Sequence, residues 1–207
     1  MAKTYEKFWN KMARGYAKTP VRQQEAYEAK LAHTQTFFTP QTRLFEFGCG
    51  TGTTALHHAP KVAEVLATDL SAEMITIARE KLSETDLTNL RFEQWNIDTD
   101  EIPEGGFDVA MAHSILHLVA DRETALRKVH QLLKPGGVFV SSTVCLGQKA
   151  WLFGPLLGGM RLIGKAPPVS LLKRDKLAAE ITAAGFEILP LPKADWGAAM
   201  FVTARKV

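Results

Sequence analysis

From residue 43 onward, short apolar runs alternate with capped helical stretches, and this alternation constrains the fold more than any other feature of the chain. Residues 43–47 (RLFEF), 62–68, 90–95, 107–113 (FDVAMAH) and 138–144 carry the aromatic, β-branched and aliphatic residues of buried strands. Helical windows follow to about His58, from Ser71 to about Leu82, and from Asp121 to about Leu133. Ser71 and Asp121 have the hydrogen-bond acceptors that a helix start needs, and Glu73 puts negative charge in a first turn, where it is favoured. Strand–helix–strand order implies parallel pairing with right-handed crossovers. Lys134-Pro-Gly-Gly137 reads as a turn before the fifth strand. A helix over 173–184, stopped by Gly185, precedes two last strands, 186–191 and 198–204. Only residues 192–197 separate these two, too few for a crossover, so they should pair antiparallel.

The expected fold class is therefore α/β: a Rossmann-like, seven-stranded, mostly parallel sheet with an antiparallel terminal hairpin. It is unlike a symmetrical dinucleotide-binding sheet. A helical cap precedes it over residues 1–40, leaving 41–207 as the main domain. Within 3–38, Phe8, Met12 and Tyr16 are four apart and share a face. Thr19 and Pro20 supply a cap and a first helical residue, Leu31 and Phe38 extend an apolar face, and Pro40 ends the segment. With 207 residues, 46% hydrophobic and 23% charged, one domain is expected. A net charge of +3 without a basic tract argues against a nucleic-acid partner. Two cysteines, Cys49 and Cys145, make neither a disulfide scaffold nor a four-cysteine metal site and suit a reducing cytoplasm. The first residues do not read as a leader, and no apolar run is long enough to span a membrane.

The chemistry is concentrated in Glu46-Phe-Gly-Cys-Gly-Thr-Gly52, where the first strand meets the first helix at the carboxyl edge of the sheet. Glycines at 48 and 50 let a ligand lie against bare backbone. The spacing is G-x-G-x-G, not the G-x-G-x-x-G of a pyrophosphate loop. Glu46, two residues before Gly48, would repel pyrophosphate and attract a cation. Asp69 ends the second strand, where an acid takes both ribose hydroxyls. The pair suits a nucleoside that carries positive charge and no phosphate.

On these residues the chain resembles the class I S-adenosylmethionine-dependent methyltransferases of small-molecule type. FEFGCGTG, ATDLSAEM, WNIDTD, FDVAMAHSILHLV, LLKPGGVFVSST and AGFEI occur in the family's order over roughly residues 43–190, and FWNKMARGYAKTPV is similar to the cap of its small-molecule members. The resemblance implies S-adenosylmethionine as cofactor. Gly48, Cys49 and Gly50 would pack on its methionine part, Glu46 would position the ammonium, and Asp69 would take the ribose. Leu70 and Met74 would flank the adenine. Asn96 or Asp98 would meet the adenine amino group, with the Ile97 backbone toward the ring. His113 and Ser114 would lie beneath the methyl group, and Tyr16 would close over the carboxylate. His113 is the candidate catalytic base where the acceptor must lose a proton. His113 and His117 have the spacing of a zinc helix but lack its glutamate and a third ligand, so no metal is expected.

Methyl transfer from a sulfonium is an in-line displacement that orientation and exclusion of water can drive. The acceptor should be read from residues 146–172, whose Trp151, Phe153, Leu156, Leu157 and Met160 make an apolar segment broken by glycines and suited to a substrate lid. A small apolar or aromatic acceptor is expected, with peripheral contact to a membrane surface as one way to reach it, and a monomer or homodimer. The competing readings are a nicotinamide-dependent oxidoreductase on a related sheet and a non-catalytic nucleoside-binding protein on the same fold.

Overall fold

The computed structural model describes residues 2–21, 23–147 and 169–207. Seven strands form one sheet in the order β3-β2-β1-β4-β5-β7-β6, with β1 Arg43–Phe47, β2 Glu64–Asp69, β3 Leu90–Gln94, β4 Phe107–His113, β5 Leu133–Thr143, β6 Phe186–Ile188 and β7 Met200–Lys206. β1 through β5 pair in parallel, and β7 runs antiparallel to both β5 and β6. The expected single reversed strand is β7. Chain order reverses between β1 and β4, and ligands of open parallel sheets bind at that switch point, beyond the carboxyl ends of the strands.

The helices are α1 Ala2–Ala17, α2 Gln24–Gln35, α3 Thr53–His58, α4 Ala72–Ser83, α5 Arg122–Leu132 and α6 Arg174–Ala183. Ser71 and Asp121 cap α4 and α5 as expected, accepting hydrogen bonds from the Met74 and Thr124 amides. Phe45, Phe47, Phe107, Phe139 and Phe186 fill one face of the sheet beneath α5 and α6. Leu44, Val65, Val109, Met111 and Phe201 fill the other, facing α3 and α4. No described helix is long and apolar enough to cross a membrane.

Three expectations change. The KPGG turn is drawn into β5 as a bulge. Leu133 already pairs with Phe107, and pairing resumes at Val138 with Val109, while the Asp108 carboxylate accepts from Lys134 Nζ at 2.7 Å and from the Arg43 amide at 2.8 Å. Thr19 and Pro20 do not start α2. Thr19 bonds back to α1, its amide to Tyr16 O and its hydroxyl to Gly15 O, and the helix begins only after Gln23, which sits in the left-handed region. The face of α1 that packs is Trp9, Ala13 and Ala17, against Met74 and Ile77 of α4. Met12 and Tyr16 stay 45% and 52% exposed. Small residues at 13 and 17 allow close approach. Asn10 Oδ1 accepts from Ser71 Oγ at 2.6 Å, fixing that rotation of the helix, and Arg14 pairs at the surface with Glu73 and Glu80.

Candidate functional site at the carboxyl edge of the sheet

The corner after β1 is built as its glycines suggest. Gly48 has φ 66°, and a Cβ there would lie 2.5 Å from Ile115 Cγ1, so the position is closed to any side chain. Gly50 has φ 54° and faces open space apart from Tyr16, whose ring would be 3.8 Å from a Cβ. The Gly50 amide donates to Asp69 Oδ2 and the Ser71 amide to Asp69 Oδ1, both at 2.9 Å. Asp69 thus ties the glycine corner of β1 to the start of α4. It is 7% exposed, and burial raises its pKa while the donated amides oppose the shift.

Glu46 is 2% exposed, and its Oε2 has no hydrogen-bond partner. Burial, with a smaller contribution from the charge of Asp69, lifts its pKa to about 8. The two acids therefore share one electrostatic environment. A buried carboxyl with an orphaned oxygen fits a cation that supplies both charge and donors. This is the observation that fits the ammonium of a methionine moiety. Cys49 lies in the same corner, its amide donating to Thr68 O at 3.0 Å. Burial, with the charges of Asp69 and Glu46, pushes the Cys49 thiol well above its usual range, which disfavours the thiolate.

An apolar cleft opens beside Gly48. Leu70, Asn96, Ile97 and Asp98 line it, as the resemblance implies for an adenine site. Asn96 Oδ1 accepts from the Asp98 amide at 3.0 Å, and the Asp98 carboxylate accepts from the amides of Ala120 and Asp121. Asn96 therefore closes a turn within the loop after β3, and Asp98 braces that loop against the start of α5. Met74 lies elsewhere, in the seam between α4 and α1. The sequence reading missed Tyr5 and Trp9 of α1 and Ile115 and Leu118 after β4, which complete the cleft. Tyr5 and Trp9 are four apart, and that spacing was the available signal.

His113 ends β4. Burial, aided by the charge of Lys30, lowers its pKa to about 4, so the imidazole is neutral at pH 7. The next residue, Ser114, holds φ 55° while its amide donates to Ser142 O at 2.7 Å. A serine in the left-handed region is strain stored at the sheet edge. Tyr16 stands over Gly50, and although half the residue is exposed, local burial of its phenol, with a smaller contribution from the charge of Asp69, raises its pKa. Among the described residues no group of His, Cys, Asp or Glu is placed to hold a metal ion. Of the lid expected at 146–172, residues 148–168 lie outside the described residues. Its two ends meet where the Gly147 amide donates to Leu172 O.

Comparison with known proteins agrees with this geometry. Residues 45–139 match the family model described as a methyltransferase domain. An uncharacterized methyltransferase, YcgJ of Bacillus subtilis, is 32% identical over 98 residues, covering 47% of this chain and 39% of that protein. A highly reducing polyketide synthase of Emericella nidulans is 25% identical over 190 residues, 81% of this chain and 7% of the synthase. The chain thus spans well under two thirds of these curated relatives. The crystal structure of an S-adenosylmethionine-dependent methyltransferase from Mesorhizobium loti superposes with a TM-score of 0.70 at 24% identity, covering 87% of this chain and 98% of that one. Residues 45–139 are thus similar to a methyltransferase domain, and the chain has the fold of solved S-adenosylmethionine-dependent methyltransferases.

Proposed function

We propose that the protein transfers a methyl group from S-adenosylmethionine to a small apolar or aromatic molecule by in-line displacement. The observation that carries this reading is Glu46, buried, unpaired and beside Asp69 at a glycine corner shaped for a nucleoside. Glu46 would hold the methionine ammonium, Asp69 the ribose hydroxyls, and the cleft of Trp9, Leu70 and Ile97 the adenine. When bound, the cofactor supplies an electrophilic methyl on a sulfonium. The chain's own work is to orient the partners and exclude water. His113, neutral, is placed to accept a proton from an acceptor that must lose one. So weak a base serves only an acceptor that something else has made acidic. The likeness to a polyketide synthase supports an acceptor of apolar character, and two free thiols suit a reducing cytoplasm.

Isothermal titration with S-adenosylhomocysteine tests the cofactor half of the reading. Wild-type protein should bind it, and Asp69→Ala should weaken binding by roughly 10- to 100-fold through loss of two charge-assisted hydrogen bonds. Absence of binding to the wild type would sink the proposal. Transfer of a radiolabelled methyl across phenols, quinones, amines, thiols and fatty acids tests the acceptor half.

A further inference from the structure

α1 packs through one side only, and the methyl-transfer site makes no use of its outer side. Trp9, Ala13 and Ala17 face α4. Away from them, two lines of side chains run along the helix. Lys7, Lys11, Arg14 and Lys18 follow one another at spacings of four, three and four, which on a helix of 3.6 residues per turn is a single line. Lys18 extends it through the turn that closes α1, where its amide donates to Gly15 O at 3.3 Å. Phe8, Met12 and Tyr16, four apart, make the second line. Between the two, a Cβ added at Gly15 would meet nothing within 4 Å, so this part of the helix faces open space. All four cations are exposed. Arg14, beside α4, is taken up by Glu73 and Glu80. Lys7, Lys11 and Lys18 make no ion pair or side-chain hydrogen bond with a described residue. Of the large apolar side chains that the described residues expose, Met12, Tyr16 and Val21 fall in this one stretch, and only Ile188 and Val207 lie elsewhere. Phe8 is half-buried, its ring edge-on to Trp9.

A helix with one packed stripe, one line of unpaired lysines and one parallel apolar line is built for a boundary between water and hydrocarbon that carries negative charge. We propose that α1 is a docking helix and that its partner is the anionic surface of a lipid bilayer. Lys7, Lys11 and Lys18 meet the headgroups, and Phe8 and Met12 enter the acyl boundary beside them. An acidic protein surface would match the lysines, but it would leave the apolar line without a role. The inference goes beyond the methyltransferase reading and does not need it. It has a consequence for that reading all the same. Tyr5 and Trp9 of the same helix line the apolar cleft, so docking sets the cleft one helix diameter, about 10 Å, from the headgroups. An acceptor of apolar character partitions into lipid and is concentrated at that surface.

The test is co-sedimentation of the full chain with large vesicles of phosphatidylcholine, alone or with about one third phosphatidylglycerol, at about 0.1 M salt. The chain should sediment with the mixed vesicles, stay in solution with phosphatidylcholine alone, and be released by about 0.5 M salt. Lys7→Gln, Lys11→Gln and Lys18→Gln together should weaken binding about a hundredfold, at roughly fivefold per lysine, while arginine at the same three positions should preserve it. Met12→Ser should weaken binding about threefold and leave its salt dependence unchanged. All these side chains are exposed, so each variant should keep the wild-type unfolding midpoint. The proposal is overturned if the chain binds neither vesicle, binds both equally, or binds undiminished with glutamine at the three positions. It is equally overturned if poly-glutamate binds the chain as tightly as the mixed vesicles do and Met12→Ser has no effect, since the lysines would then serve an acidic polypeptide. Failure of the wild type to bind S-adenosylhomocysteine strikes the methyltransferase reading instead, and the vesicle assay still judges α1.

Discussion

The carboxyl edge of the sheet has two sides that hold ligands by different physics. The cleft bounded by α1 and the loops after β3 and β4 is apolar, and its polar side chains are already occupied. Asn96 and Asp98 spend their oxygens on loop amides. The side under α2 and α3 is dense in buried ionisable groups with unmet hydrogen-bonding capacity, Glu46 Oε2 and His58 Nε2 among them. Affinity in the first should follow contact area and change little with pH or salt. Affinity in the second should follow charge, because low-dielectric surroundings magnify both a match and a mismatch.

Glu46→Gln should produce the largest effect. Removing the carboxylate should weaken S-adenosylhomocysteine about a hundredfold or more, since a buried charge-assisted pair is lost. The same change should stabilise the free protein. Glu46 has its pKa raised from 4.5 to about 8, so the folded chain holds a proton that the unfolded chain has released. Stability contributed by this group therefore falls as pH rises from about 4.5 to 8, and Glu46→Gln should recover on the order of 3 kcal/mol in urea melts at pH 8.5 and little at pH 4.5. Binding of an ammonium ligand should release a proton below pH 8, so the calorimetric heat at pH 7 should depend on the ionisation enthalpy of the buffer. A buffer-independent heat would show that Glu46 is already ionised.

Gly48→Ala comes next and probes the wall between the two sides. The new Cβ meets Ile115 at 2.5 Å and forces a positive φ on alanine. A loss of roughly 2 to 3 kcal/mol in thermal unfolding is expected. Ile115→Ala in the same chain should return only the steric part of it. Full rescue would mean that backbone strain contributes nothing here.

Trp9→Ala tests the apolar side. Loss of the indole should weaken S-adenosylhomocysteine by roughly 5- to 30-fold. Unlike Glu46→Gln, that loss should be the same at pH 6 and pH 8. A strong pH dependence for Trp9→Ala would erase the distinction between the two sides.

The first corner was legible in the sequence because its determinants are local. Glu46, Gly48 and Gly50 belong to one turn, and parallel pairing of adjacent strands brings Asp69 to them without further information. The caps at Ser71 and Asp121, the seven strands and the reversed β7 follow from equally local rules. The rotation of α1 was not legible. Phe8, Met12 and Tyr16 form the more apolar stripe, yet the helix packs through Trp9, Ala13 and Ala17, a choice made by the shape and charge of α4 about sixty residues away. Met74 was drawn into the same seam and away from the adenine cleft. Lys30 and His58 stayed invisible because nothing in their neighbourhoods marks them. Only the folding of α2 and α3 onto the sheet brings their charges within reach of His113.

The contacts that fix α1 also set the smallest expected effect. Arg14 reaches Glu73 at 2.7 Å and Glu80 at 2.9 Å, but Arg14 and Glu80 are at least half exposed and Glu73 about a third, so screening and side-chain entropy cancel most of an ion pair. The apolar seam of Ala13, Met74 and Ile77 and the buried bond from Ser71 to Asn10 hold the helix without it. Arg14→Met should therefore change S-adenosylhomocysteine affinity by less than about twofold at physiological salt, with a matching small effect from 0.5 M salt on the wild type. Asn10→Ala, which strips the partner from a buried hydroxyl, should do more than Arg14→Met and should speed amide exchange along α1. If Arg14→Met instead weakens binding as severely as Trp9→Ala, then charge rather than packing seats α1 over the cleft, and the apolar side of the edge is not the salt-indifferent half it is taken to be.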